Sequence, residues 1–107
     1  MTEIMQYNED NYRDYEQYRG FAVIRFYATW CAPYMQNYAV FEQLTTMFGQ
    51  HIKFGTVNVD QAPILTLRYN VYGLPSTLIF QDGVVIQRMA GVKTLAEYMQ
   101  IFKQLGL

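Results

Sequence analysis

Hydrophobic and polar positions change period along this chain in a way that sets out its elements. Phe21 to Ala28 reads Phe-Ala-Val-Ile-Arg-Phe-Tyr-Ala, apolar on both faces apart from Arg25. That is the pattern of a central parallel strand covered by helices on both sides. Helical periodicity starts at Pro33 and places Tyr34, Tyr38, Phe41, Leu44 and Phe48 at spacings of three and four, until Gly49 ends it. Ile52 to Val59 is the next predicted strand. Asp60-Gln-Ala-Pro63 opens a short helix to about Tyr69, with Pro63 in its first turn, where a missing N–H is tolerated. Val71-Tyr-Gly-Leu-Pro-Ser-Thr then leads irregularly into a strand over Thr77 to Gln81. Asp82-Gly83 predicts a tight hairpin, and Val84 to Met89 the return strand. Beyond Gly91, Thr94-x-x-Glu97 is a capping box opening the last helix, with Leu95, Tyr98, Met99, Phe102 and Leu105 on its inner face.

The beginning of the chain is read by the same rules. Glu3 to Tyr7 predicts a short strand. Asn8-Glu-Asp is an N-cap followed by two acids, which predicts a helix to about Tyr18 with Tyr12, Tyr15 and Tyr18 on one stripe and Gly20 as its stop. The order is therefore β-α-β-α-β-α-β-β-α. Right-handed crossovers followed by a terminal hairpin make this an α/β fold, a central mixed five-stranded sheet flanked by four helices.

Composition narrows the function classes. The 107 residues suit one domain over 1–107, and 51% hydrophobic residues with 17% aromatics are too apolar for disorder. No apolar run approaches the roughly 20 residues of a membrane span, so no membrane partner is expected. A net charge of −1 with eight scattered Lys and Arg gives no basic patch for nucleic acid. The first ten residues show no basic n-region or small-residue cleavage site. One cysteine excludes an internal disulfide, and one Cys with one His argues against a structural zinc site, so no metal or cofactor is expected. A reducing cytoplasm is the expected location.

The candidate chemistry sits in Phe26-Tyr-Ala-Thr-Trp-Cys-Ala-Pro-Tyr-Met. An apolar strand runs into Trp30, the only cysteine follows at position 31, and Pro33 stands where a helix begins. A thiol at a helix start meets the positive end of the helix dipole and unpaired N–H groups, which favour its nucleophilic thiolate form. The alternative for Cys31 is a small buried hydrophobe. His51, in the turn after the long helix, reads as an exposed loop residue, and Met35, Met47, Met89 and Met99 read as packing.

Four features make the sequence resemble a thioredoxin over nearly its whole length. They are Phe26-Tyr-Ala-Thr-Trp-Cys-Ala-Pro, Val57-Asn-Val-Asp-Gln-x-Pro63, Tyr72-Gly-Leu-Pro75-Ser-Thr-Leu-Ile-Phe, and Asp82-Gly83 with Gly91 downstream. The resemblance implies the thioredoxin fold, with Pro75 at the family's cis-proline position close to Cys31. It also implies a shallow apolar groove formed by Trp30, Gly73, Leu74, Pro75, Gly91 and Val92, receiving an extended protein segment that carries a thiol or disulfide. Ala32, Pro33 and Tyr34 complete the motif, and here the chain departs from the family's Trp-Cys-Gly-Pro-Cys. Tyr34 replaces the second cysteine. Arg25 stands where the family usually carries a buried Asp serving that second thiol, and Thr56 where it often carries the Asp's Lys partner. Without a resolving thiol, no carboxylate is needed to deprotonate it.

A phenol with a pKa of about 10 is protonated and does not displace a thiol from a disulfide. The expected activity is therefore thiol–disulfide exchange through Cys31 alone, its mixed disulfide resolved by an external thiol such as glutathione. No Lys/Arg cluster marks a glutathione site. The rival is a redox-inactive module that binds an extended peptide by strand pairing at Pro75, and a third reading is an assembly subunit docking through its aromatic surface. Arg25 either lies near the sulfur or turns to solvent with only its stem packed. Tyr34 is either a hydrogen-bonding lid or a filler of the space left by the lost cysteine.

Overall fold

The computed structural model describes residues 4–31 and 38–107. Five strands, β1 (Met5–Tyr7), β2 (Phe21–Tyr27), β3 (Ile52–Asn58), β4 (Ser76–Gln81) and β5 (Val84–Ala90), form one sheet in the order β1-β3-β2-β4-β5. β3 runs parallel to β1 and β2, while β4 is antiparallel to β2 and β5. The helices are α1 (Arg13–Glu16), α2 (Tyr38–Phe48), α3 (Pro63–Arg68) and α4 (Leu95–Gln104). This is the thioredoxin fold that the motifs imply, in the order the periodicity predicts. No helix among the described residues is long and apolar enough to cross a membrane.

β2 is the middle strand of the sheet, and it contributes buried apolar side chains to both faces. Ala22, Ile24 and Phe26 join Tyr7, Tyr15, Val57, Leu65 and Tyr69 in one core layer. Val23 joins Phe41, Leu44, Ile79, Tyr98 and Phe102 in the other. Alternate side chains leave a strand on opposite faces, so a single strand seeds both layers. The Asp82-Gly83 turn has φ values of 51° and 83°, the left-handed pair that a two-residue hairpin needs. Phe80 pairs with Val85 while Ile79 pairs with Gln87, so Ile86 is the extra residue of a bulge in β5. The Thr94–Glu97 capping box is complete in both directions.

Three expectations need correction. The first helix is one turn, Arg13–Glu16, rather than Asn8 to Tyr18. Asn8 Oδ1 accepts the Asp10 N–H at 2.8 Å, and Asn11 Oδ1 accepts the Asn8 N–H at 2.7 Å. These local bonds satisfy the backbone in a turn that competes with helix. Tyr15 of the tyrosine stripe is fully buried. Met47 is half exposed and Met99 about a third exposed, so neither is core packing, whereas Met89 is core. The solvent-turned reading of Arg25 also fails, because Arg25 is only 1% exposed. The expected start of the second helix, with Ala32, Pro33, Tyr34 and Met35, lies outside the described residues.

Candidate functional site

Cys31 follows directly from the carboxyl end of β2, the end at which open α/β sheets place their sites. Its N–H donates to Ala28 O at 3.2 Å, closing a turn that lifts the side chain off the sheet. The residue is partly exposed, which removes the alternative of a buried hydrophobe. Its Sγ lies 3.7 Å from Leu74 O, although 43 residues separate them. The Leu74–Pro75 peptide bond is cis, and Pro75 is buried. Two bonds fix this loop: Ser76 Oγ donates to Gly73 O at 2.6 Å, and Gly91 N donates to Pro75 O at 2.8 Å. Gly91 can make that close approach with φ at 81°, a backbone state that side chains disfavour. The second bond joins the Pro75 loop to the Gly91–Val92 corner, where both residues are exposed.

Trp30 is 70% exposed, and its Nε1–H donates to Asp60 Oδ2 at 2.7 Å. Asp60 is held in turn by its own N–H donating to Asn58 Oδ1 at 3.0 Å. The indole is thus an oriented surface group beside the thiol. Asp60 and Asn58 were visible in the Val57-Asn-Val-Asp stretch, but nothing in the sequence said that they position the tryptophan.

Arg25 lies beneath the site on the α2 and α4 face of the sheet. Its neighbours across the ladder are Thr56 on β3 and Thr77 on β4. Short side chains on both sides leave room for a guanidinium stem between strands. Above it, Thr77 Oγ1 and Tyr98 Oη share a buried hydrogen bond of 2.9 Å. Burial pushes the Arg25 guanidinium down from its ordinary value, while charge interactions with Tyr98, Tyr38, Tyr27 and Cys31 act the other way. Arg25 is therefore within electrostatic reach of the thiol.

The sequence-predicted groups Cys31, Arg25, Leu74, Pro75, Gly91 and Trp30 thus fall into one region at one end of the sheet. Ala32, Pro33 and Tyr34 are in the undescribed segment, and His51 is exposed in the turn after α2. Among the described residues, no group of three or more His, Cys, Asp or Glu could hold a metal.

A family model described as thioredoxin matches residues 3–104. The chain belongs to the thioredoxin family. A thioredoxin-like protein of Synechocystis is 31% identical over 78 residues, covering 73% of this chain and 74% of that one. Thioredoxin of Rhodospirillum rubrum is 34% identical over 68 residues, covering 64% and 65% of the two chains. The solved structure of Malassezia sympodialis thioredoxin (Mala s 13) matches with a TM-score of 0.88 at 23% identity, covering 97% of this chain and 91% of that one. At that identity the structural likeness establishes the fold. Family membership supports a function of the thiol–disulfide oxidoreductase type, with protein disulfides as the general class of partner.

Proposed function

We propose that this chain carries out thiol–disulfide exchange through one nucleophile, Cys31, and depends on an external thiol to complete each cycle. The observation that carries this reading is the partly exposed Cys31 Sγ facing Leu74 O across 3.7 Å. The Cys31 thiolate attacks one sulfur of a protein disulfide, forming a mixed disulfide and releasing the other substrate sulfur as a thiolate. An external thiol then attacks the Cys31 sulfur, freeing the second substrate thiol and leaving Cys31 joined to the small thiol. A second small thiol regenerates Cys31, so one substrate disulfide and two thiols become one dithiol and one small disulfide.

In this reading Tyr34 cannot make the second attack, because the chain has no other cysteine. Trp30, Gly73, Leu74, Pro75, Gly91 and Val92 form the groove that receives an extended partner segment, and strand-like pairing with the Pro75 loop orients it. Arg25, with Ala32 and Pro33, supports the nucleophile. Residues 1–107 act as one domain in a reducing, cytoplasmic setting, with glutathione as one resolving thiol.

The test is disulfide reduction with dithiothreitol or glutathione as donor, for the wild-type chain and Cys31→Ser. Donor-dependent turnover in the wild type and none in Cys31→Ser supports the proposal. No turnover with either donor, but partner capture that survives Cys31→Ser, supports the redox-inactive binding module instead.

A further inference from the structure

We propose that a hollow beside the Pro75 loop is a charge-reading subsite for an acidic side chain of the partner segment, with Arg88 as its counter-ion. This deepens the exchange reading above and rests on the same groove. The hollow measures about 210 Å³ and is walled by the Asn70–Gly73 loop on one side and by Ser76, Arg88 and Ala90 on the other. Gly73 and Ser76 flank Leu74 and Pro75 directly, so the hollow begins one residue from the carbonyl that faces Cys31 Sγ.

Its walls are held in place. Asn70 takes a left-handed backbone at φ 56°, Tyr72 Oη donates to Asn70 Oδ1 at 3.2 Å, and Ser76 Oγ ties Gly73 O. Tyr72, 89% exposed, forms an aromatic rim. Arg88 is the only charged residue among the described residues lining the hollow. It makes no ion pair with any described residue. A partly apolar hollow whose charged wall residue is a cation with no ion pair among the described residues complements a single carboxylate on an apolar stem. An extended segment sends alternate side chains to the same side about 7 Å apart. The acidic residue is therefore expected two positions from the cysteine that meets Cys31.

The test uses short peptides whose cysteine is joined to a coloured aryl thiol, with Glu, Gln or Lys two positions before or after it. Attack by the Cys31 thiolate on the peptide sulfur forms the mixed disulfide and releases the aryl thiolate, whose colour gives the rate. At one of the two positions the Glu peptide should react about 2- to 5-fold faster than the Gln peptide, the range of an exposed ion pair. The preference should vanish in Arg88→Gln and in 1 M salt, where the screening length falls to about 3 Å. Arg88→Gln should slow the Glu peptide more than the Gln peptide. Equal rates for Glu and Gln, or a preference that survives Arg88→Gln, overturns the subsite.

A second arm separates this proposal from the exchange chemistry. Peptides with Ser in place of Cys are titrated while amide shifts at Gly73 and Arg88 are followed. If no peptide reacts at Cys31 but the Glu peptide still binds in an Arg88-dependent way, the exchange reading fails and the subsite stands. If Glu and Gln peptides bind alike, the subsite fails whatever the thiol does.

Discussion

Gly55, in the middle of β3, is a position where the side-chain packing leaves little room, and Gly55→Ala measures how little. A Cβ at this position would sit 2.3 Å from Tyr7 Cε2 and 2.5 Å from Tyr7 Cδ2, with Ile24 Cδ1 at 3.2 Å. Carbon atoms in good contact are about 3.5–4.0 Å apart, so the Tyr7 ring would have to withdraw by more than ~1 Å. It has nowhere easy to go. The ring is 1% exposed, packs edge-on against Tyr15 with centroids 4.9 Å apart, and donates its hydroxyl to Asp14 Oδ2 at 2.5 Å. Overpacking costs about 1–3 kcal/mol. Loss of the tyrosine–carboxylate bond adds about 1 kcal/mol, reduced because Asp14 is half exposed. Against this, exchanging Gly for Ala restricts the unfolded chain and returns about 0.4–1 kcal/mol. The net expectation is a loss of roughly 1–3 kcal/mol, with the slope of the urea transition unchanged. Urea unfolding followed by far-ultraviolet circular dichroism measures it, and pairing Gly55→Ala with Tyr7→Leu should recover part of the loss. A Gly55→Ala protein as stable as the wild type, or more stable, would refute the reasoning.

Three further outcomes are expected. The Tyr7 hydroxyl, and after it Lys53, hold the Asp14 carboxyl below its usual value against a lesser opposing push from burial. A lowered carboxylate stabilises the fold above the unfolded value near pH ~4, and that stability is lost as pH falls through the lower folded value. Asp14→Asn should therefore flatten the acid side of a stability–pH curve below about pH 4, and parallel curves would contradict the assignment. Asp60→Ala removes the 2.7 Å bond to Trp30, and should lower Trp30 fluorescence anisotropy while changing stability by less than about 1 kcal/mol; unchanged anisotropy would mean the bond does not orient the indole. Tyr34→Cys should create dithiol reductase activity, weak while Arg25 is retained and stronger with Arg25→Asp added; continued inactivity in both variants would show that more than the resolving thiol and the Arg25 charge stands between this groove and dithiol turnover.

The sequence carried the elements whose local chemistry and long-range role agree. β2 was legible because a short β-branched and aromatic run, apolar on both faces apart from Arg25 and opened by Gly20, fits a central strand better than a helix, and the Asp82-Gly83 turn and Thr94 cap are complete within a few residues of chain. The first helix was not legible. Its N-cap signal at Asn8 is chemically genuine, but Asn8 and Asn11 spend their side chains on a turn, and helix forms only from Arg13. The bulge at Ile86 had no local signature, since it reflects how β5 meets β4 rather than anything in β5.

At the candidate site, motif residues alone singled out Cys31 and Pro75, and the structure brings Cys31 Sγ to the carbonyl that precedes Pro75. Arg25 could be located but not oriented. Whether a strand arginine turns outward depends on both flanking strands, and the threonines at 56 and 77 become its neighbours only through the sheet register. Arg88, the proposed counter-ion, carries no signal in the sequence for the same reason. It is an ordinary polar residue in an edge strand until the Asn70–Gly73 loop arrives beside it.

The most direct measurement is intact-protein mass spectrometry after mixing the chain with a peptide disulfide in the absence of any other thiol. The account predicts a single peptide adduct, mapped to Cys31, that persists until glutathione or dithiothreitol is added and then disappears. No adduct at Cys31, or one that releases itself without an added thiol, would contradict it.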